Sequence, residues 1–244
     1  MEHWETPPDV PGLGVGEVHL WRIDASDRPE VLRERLALLS RDEAARMEAY
    51  HFERHRARFA MRRGALRSIL ARYLGADPAR LSFSVSEHGK PELERSGGRE
   101  PELRFNLSHS EEVALIGVTR VHDLGVDVEH VRPLSDMDDL ARTVFSPAEQ
   151  AEYGALAHDE KQRGFFNGWT RKEAWLKARG VGLSGRLAGF DVTLAPGQPA
   201  RLLRVADEPE EQLRWHLEAC EPLAGYVAAV AVRDEACRIV RWGV

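Results

Sequence analysis

Two long helical runs govern what this chain can fold into: ERHRARFAMRRGALRSILARYLG (53–75) and EKQRGFFNGWTRKEAWLKARG (160–180). Each spaces apolar residues at the helical period. Each stops at a glycine, Gly75 or Gly180, the residue type that closes a helix in a left-handed turn. Each is also followed by short segments with strand rhythm. After the first come LSFSVSEHGKPEL (81–93), with Gly89 and Pro91 as turn residues, then ELRFNLSHS (102–110), EVALIGVTR (112–120) and DLGVDVEHV (123–131). After the second come FDVTLA (190–195), ARLLRVA (200–206), LRWHLEAC (213–220), GYVAAVAVR (225–233) and CRIVRWGV (237–244). Ahead of both lie a Pro/Gly-rich arm (1–16), a strand-like EVHLWRID (17–24) and a helical PEVLRERLALLS (29–40). Ser146-Pro147-Ala148-Glu149 reads as a further helix start, with Ser as cap, Pro in the first turn and Glu three residues on. No residue-level repeat accompanies this repeated order. The order itself predicts an α+β fold of two similar lobes, 1–122 and 123–244, packed as a pseudo-pair.

Composition narrows the class. The 244 residues are 43% apolar and 30% charged, which is ordinary for a globular protein with a real core. Apolar runs such as Val227 to Val232 are too short to span a bilayer, and no charged-then-apolar leader opens the chain. Cys220 and Cys237 fall outside any CxxC pattern, so a reducing cytoplasm is the expected location. A net charge of −6 argues against a nucleic-acid partner. Only four of the 34 basic residues are lysines (Lys90, Lys161, Lys172 and Lys177). A compact ammonium and a planar guanidinium are not interchangeable, so each lysine is informative.

Several constellations could carry chemistry. In GVDVEHV (125–131), Val126 and Val128 point one way on an extended chain, and Asp127 and Glu129 point the other. Alone, that pair reads equally as the exposed face of an edge strand. On the second long helix Phe165, Phe166, Trp169 and Leu176 form one stripe. Glu173 and Lys177 stack at one margin of it and Lys172 lies at the other. A solvated i,i+4 ion pair, worth ~0.2–0.5 kcal/mol, is the plain alternative for Glu173 and Lys177. If helix and strand meet at one cleft, Asp127, Glu129 and Glu173 are three carboxylates that repel one another unless a hard cation such as Mg²⁺ joins them. FNLSHS (105–110) adds Asn106, Ser108 and His109. The helix over 53–67 adds Arg54, Arg56, Arg58, Arg62, Arg63 and Arg67, a solvated face from which two or three side chains could clamp a phosphate. HGKP (88–91) places Lys90 and Pro91 on a tight turn. No P-loop, GxGxxG, HExxH or GxSxG occurs. The shared chemistry is a metal site with Arg, Lys and His suited to a polyphosphate ligand.

In the order HGKP, FNLSHS, GVDVEHVRP and FFNGWTRKEAWLKARGVGL, over about 88–183, the chain resembles the large single-chain 4'-phosphopantetheinyl transferases of the surfactin-synthetase-activating type. Alanine after the Lys172–Glu173 pair places it near the W/KEA subgroup. The resemblance implies two α+β lobes forming an intramolecular pseudo-dimer, with the active site in the cleft between them. It also implies transfer of the 4'-phosphopantetheine arm of coenzyme A to a serine of an apo acyl or peptidyl carrier protein, releasing adenosine 3',5'-bisphosphate. By the same resemblance Asp127, Glu129 and Glu173 hold Mg²⁺. Glu173 is the candidate base, and Lys177 lies near the pyrophosphate. Arg46, Arg58, Lys90, Pro91, Ser108, His109 and Lys172 join Lys177 in binding coenzyme A, with Lys90, His109 and the two arginines toward the 3'-phosphate. A monomer is expected, with no nucleic-acid or membrane partner. The competing readings are another Mg²⁺-dependent enzyme that cleaves pyrophosphates and a non-catalytic relative that only binds coenzyme A or carriers.

Overall fold

The computed structural model describes residues 3–26, 28–86, 89–94, 103–181 and 187–244. The fold is α+β. Strand β1 (Glu17–Asp24) leads into helices α1 (Pro29–Leu36), α2 (Arg41–Glu48) and α3 (Glu53–Leu74), then β2 (Phe83–Val85), β3 (Pro91–Leu93), β4 (Arg104–Ser110) and β5 (Val113–Thr119). The order then recurs: β6 (Leu124–His130), α4 (Met137–Val144), α5 (Pro147–Ala155), α6 (His158–Arg179), β7 (Phe190–Val192), β8 (Leu202–Val205), β9 (His216–Cys220) and β10 (Tyr226–Val232). A final β11 (Arg238–Gly243) follows. His88 of the HGKP turn and Gly182 and Leu183 at the end of the second long motif lie outside the described residues.

Sheet topology makes the recurrence concrete. In the first unit β1 pairs with β5 and β5 with β4, both antiparallel; in the second, β6 pairs with β10 and β10 with β9 in the same way. Hairpins β2–β3 and β7–β8 occupy matching places in the order. The symmetry breaks at β11, which runs back and lies parallel to β1, giving a first sheet ordered β11-β1-β5-β4. The outer edge of β1 is therefore covered. The matching edge of β6 is left to meet β4, the free edge of the first sheet. Both long helices end as their glycines require, with Gly75 at φ 59° and Gly180 at φ 69°.

Two elements went unread in the sequence. For α2 the signal was Ser40 followed by Glu43, which form a reciprocal capping box. For α4 it was Met137, Leu140, Ala141 and Val144 at helical spacing, all of which pack in one core with α5 and α6.

Side-chain alternation sorts the layers. Val18 and Leu20 of β1, with Val113 and Leu115 of β5, face Val126, Val128, Ala228 and Val230 across the space between the two sheets. The opposite face of the first sheet, through Trp21, Ile23, Ile116 and Phe105, packs on Ala65, Leu66, Ile69 and Leu70 of α3. The opposite face of the second packs on α6. That helix is not the half-solvated stripe its sequence predicts, because nearly every residue from Gly164 to Ala178 is buried. It lies so close on β6 that a β-carbon on Gly125 would collide with the Ala174 carbonyl oxygen and the Ala178 nitrogen. Glycine here is a requirement of contact rather than of dihedral angle. Gly125→Ala is expected to lower stability by about 2–4 kcal/mol through forced separation of α6 from β6. Urea unfolding that leaves the midpoint unchanged would show that the helix does not rest there.

Candidate active site

Because Gly125 faces α6, Asp127 and Glu129, two and four residues further on, face it as well. Asp127 is 4% exposed and Glu173 8%, so both carboxyls lie within protein, while Glu129 is half-buried. Lys177 reaches across from α6. Its Nζ donates to Asp127 Oδ1 at 2.6 Å, to Ser108 Oγ at 3.1 Å and to the Val126 carbonyl at 3.3 Å. The Glu173–Lys177 pairing left open by the sequence is not formed. Lys177 turns instead to the strand.

The first sheet supplies the rest. Asn106, Ser108 and Ser110 project from β4 on the face it shares with Val113 and Leu115, toward the second sheet. Asn106 Oδ1 accepts the Val126 N–H at 2.8 Å, satisfying a donor on an edge strand that has no ladder partner there. Ser108 Oγ donates to Asp127 Oδ1 at 2.8 Å. Ser110 Oγ donates to Glu129 Oε2 at 2.8 Å and accepts the His130 N–H at 3.1 Å. Side chains, not a strand ladder, thus join the two edges. Neither Asn106 in this role nor Ser110 in any role was read from the sequence. The alternation N-x-S-x-S, which puts three short polar groups on one strand face, was the available signal.

On the other face of β4, with Phe105 and Leu107, stands His109 toward α3. Its surroundings desolvate the exposed ring and, with the charges of Arg62 and Lys177, push its pKa down to about 4. The six arginines of α3 now separate. Arg63 and Arg67 share the buried carboxyl of Glu43. Arg54 lies over the Phe52 ring, and Arg56 donates to the Tyr50 carbonyl. Arg58 pairs with Glu111 and Glu112 on the β4–β5 turn. Arg62, half-buried, has no acidic partner among the described residues; desolvation lowers its pKa to about 10. It was counted in the sequence but not singled out, since only the fold shows which arginine is left without a counterion.

Other expected residues lie elsewhere. Lys172 is not at the cleft. Its side chain is fully buried on the far side of α6, with Nζ 2.7 Å from Glu149 Oε2 and donating to the Leu187 and Phe190 carbonyls. A buried ammonium needs such partners, so its assignment to coenzyme A is corrected here. Lys90 donates to the Leu124 and Lys177 carbonyls, both at 3.2 Å, capping the end of α6 from the first unit. Arg46 is exposed, its guanidinium 5.8 Å from the Phe59 ring centre. Pro91, with Lys90, borders a hollow of about 1090 Å³ beside β4, and a second of about 950 Å³ lies between α6 and β9. Neither includes Asp127, Glu129, Glu173 or Lys177. The chemistry concentrates outside these two hollows.

The electrostatics of the acids are strained. Burial raises Asp127 against the opposing pull of Lys177 and Ser108, and burial with the Asp127 charge raises Glu129 despite Ser110 and Arg132. Glu173 is pushed up to about 7 by burial and then by Asp127 and Glu129. Among the described residues Asp127 Oδ2 and Glu173 Oε1 are buried with no hydrogen-bond partner, and the contacts of Glu129 with Ser110 and Arg132 fall on Oε2. Each acid therefore keeps an oxygen for something else. Among the described residues no group of three His, Cys, Asp or Glu side chains is gathered so as to hold a metal ion. Oxygens spread around a cleft suit a cation that keeps water and substrate oxygens in its shell.

Two family models match the chain: "4'-phosphopantetheinyl transferase, N-terminal" over residues 26–120 and "4'-phosphopantetheinyl transferase superfamily" over residues 123–231. The 4'-phosphopantetheinyl transferase HetI of Nostoc sp. strain PCC 7120 is 41% identical over 235 residues, covering 95% of this chain and 94% of its own length. The chain belongs to the 4'-phosphopantetheinyl transferase superfamily. The transferase Sfp of Bacillus subtilis strain 168 is 30% identical over 166 residues, 68% of this chain and 69% of its own. Among solved structures, an ACPS–CoA complex described as from Chronobacterium ammoniagenes is similar at 19% identity, covering 46% of this chain and 96% of that one at a TM-score of 0.35. This transferase has no helix, among its described residues, long and apolar enough to cross a membrane.

The raised Glu173 carboxyl has a cost for folding. An unfolded glutamate ionises near 4.5, the folded one near 7, so the folded chain binds more protons between those values. Stability from this group therefore falls as pH rises from 4.5 to 7 and levels off above, a loss of about 3 kcal/mol. Glu173→Gln, which carries no charge, is expected to be the more stable protein at pH 8 without added divalent ions. Stability curves against pH that run parallel for the two proteins would refute the shift.

Proposed function

We propose that this transferase moves the 4'-phosphopantetheine arm of coenzyme A to a serine hydroxyl of an apo carrier protein and releases adenosine 3',5'-bisphosphate. The observation that carries this reading is the pair of partnerless buried oxygens, Asp127 Oδ2 and Glu173 Oε1, beside the Lys177 ammonium. Buried carboxylate oxygens without donors are costly, and a cation with a polyphosphate supplies what they lack. Asp127, Glu129 and Glu173 would hold Mg²⁺, which when bound neutralises charge on the pyrophosphate oxygens.

The residues divide the work. A serine hydroxyl is a poor nucleophile at neutral pH and needs a base at the moment of attack. Glu173, with a pKa near 7, accepts that proton directly or through water. The serine oxygen bonds to the β-phosphorus, the bond from that phosphorus to the bridging oxygen breaks, and the leaving bisphosphate takes the negative charge. Lys177 stands where it can follow that charge, and Ser108 keeps it from swinging away. Across β4 lie the Arg62 guanidinium and the His109 imidazole, which is neutral near pH 7 and hydrogen-bonds rather than carries charge; the 3'-phosphate is assigned to this side. Arg58 and Lys90 are bound to protein partners and serve there only if those contacts yield. The lobes are divided at 122/123, with β11 crossing back. Two buried cysteines, Cys220 and Cys237, suit a reducing cytoplasm, and the enzyme acts there as a monomer.

Incubation with coenzyme A, Mg²⁺ and a panel of apo carrier proteins should add the mass of one phosphopantetheine to at least one carrier. Asp127→Ala and Glu173→Ala should abolish the gain while remaining folded, and Lys177→Arg should lose ~10²-fold or more in kcat, since a guanidinium cannot take the ammonium's place between Asp127 and Ser108. Coenzyme A hydrolysed with no carrier present, or near-normal transfer by a folded acid variant, would overturn the assignment. Arg62→Ala should raise KM for coenzyme A about tenfold, yet leave KM for 3'-dephospho-coenzyme A unchanged. An equal rise for both substrates would detach Arg62 from the 3'-phosphate.

A further inference from the structure

The reading of the three acids as a cation site leaves a question that helix and strand alone do not answer: what keeps Glu129 turned toward the cleft. It is the last acid on β6, half-buried, and its Oε2 has two suitors. Ser110 Oγ is 2.8 Å away, from the first unit, and Arg132 Nη1 is 3.6 Å away, on the chain just past the strand. They pull differently. The Arg132 side chain is 45% exposed and also donates to the His130 carbonyl, so an ion pair with it draws the carboxylate toward solvent. Ser110 is buried on the between-sheet face of β4.

The direction of the serine hydrogen is fixed by its other bond. Ser110 Oγ accepts the His130 N–H at 3.1 Å, which orients the oxygen and leaves its own hydrogen for Glu129. Backbone N–H, hydroxyl and carboxylate form a short chain in which each group has one role. The Ser110 and Arg132 contacts both fall on Oε2, which leaves Glu129 Oε1 without a hydrogen bond among the described residues. Ser108 repeats the device one step along the strand, donating to Asp127 Oδ1 while Oδ2 stays without a partner.

We propose that Ser110 is a positioning residue: from the first unit it holds Glu129 of the second in the orientation that binds a divalent cation, against the outward pull of Arg132. This rests on the cation reading given above. A second-sphere hydroxyl of this kind typically changes metal affinity 10–100-fold when removed. The site is then complete only when the two sheet edges are docked.

The test reads metal binding rather than turnover. With coenzyme A saturating and no carrier present, free Mn²⁺ is followed by its EPR signal as protein is titrated. Ser110→Ala is expected to weaken Mn²⁺ affinity about tenfold, with coenzyme A affinity measured without metal unchanged. Ser110→Thr, which keeps the hydroxyl, should restore most of the affinity. Adding Arg132→Ala to Ser110→Ala should recover part of it, because the competing pull is gone. A folded Ser110→Ala protein with undiminished Mn²⁺ affinity overturns the proposal, as does a loss that Ser110→Thr fails to repair or that Arg132→Ala deepens. A wild-type protein that binds no Mn²⁺ under these conditions overturns the cation reading itself, a result distinguishable from the others because it precedes any variant.

Discussion

The close seat of α6 on β6 is the contact on which the site depends. At Gly125 the helix backbone rests on the strand backbone with no side chain between them. That approach brings Glu173 and Lys177 within reach of Asp127, and it excludes the water that would otherwise solvate the acids. Excluding water is expensive for a carboxylate, and the result is visible in the raised Asp127, Glu129 and Glu173. The apolar faces meet that expense. Each large side chain fully buried returns roughly 1.5–3 kcal/mol, whereas a single hydroxyl–carboxylate bond contributes ~1 kcal/mol net. The valines and leucines between the sheets therefore hold the units together, and the polar residues of β4 orient what the apolar contact has already assembled.

The broken symmetry explains why one such site forms and not two. In the second unit the strand face under the long helix carries Gly125, Asp127 and Glu129. In the first unit the corresponding face of β1 carries His19, Trp21 and Ile23, and Trp21 and Ile23 belong to the α3 core while His19 bonds to Tyr73. The edge of β1 is also covered by β11, so no strand can approach it as β4 approaches β6. Lys172 and Glu149 serve the same end from the opposite side of α6. Their buried ion pair ties the capped start of α5 to the helix and to β7, where Val192 N–H reaches Glu149 Oε1. Breaking such a pair leaves an uncompensated buried charge, so it fixes the rotation of α6 about its axis, and with it the aim of Glu173.

Much of this was legible in the residues. Gly75 and Gly180 closed the two helices where left-handed turns occur, and Ser146–Glu149 formed the predicted capping box. The alternation in GVDVEHV placed valines inward and acids on the other face, because strand geometry has a fixed period of two. What periodicity misread was the environment of α6: it treats a helix as having one buried side, and this one is enclosed on nearly all. Hence Lys172 and Lys177, alike as marginal charges in sequence, are a fully buried cation paired with Glu149 and a partly exposed one paired with Asp127.

The sequence by itself determined the element types, their repeated order and the cluster of acids and basic groups, because local backbone preference and side-chain period are properties of neighbouring residues. Only the tertiary structure decided which charges remain without partners. Arg62 has no acidic partner among the described residues because Glu43 already serves Arg63 and Arg67 and the β4–β5 turn serves Arg58. Asp127 Oδ2 stays bare among the described residues because Lys177 and Ser108 both bind through Oδ1, and Glu173 Oε1 likewise has no hydrogen-bond partner there. Pairing is a competition among groups distant in the chain, and no window of sequence contains all the competitors.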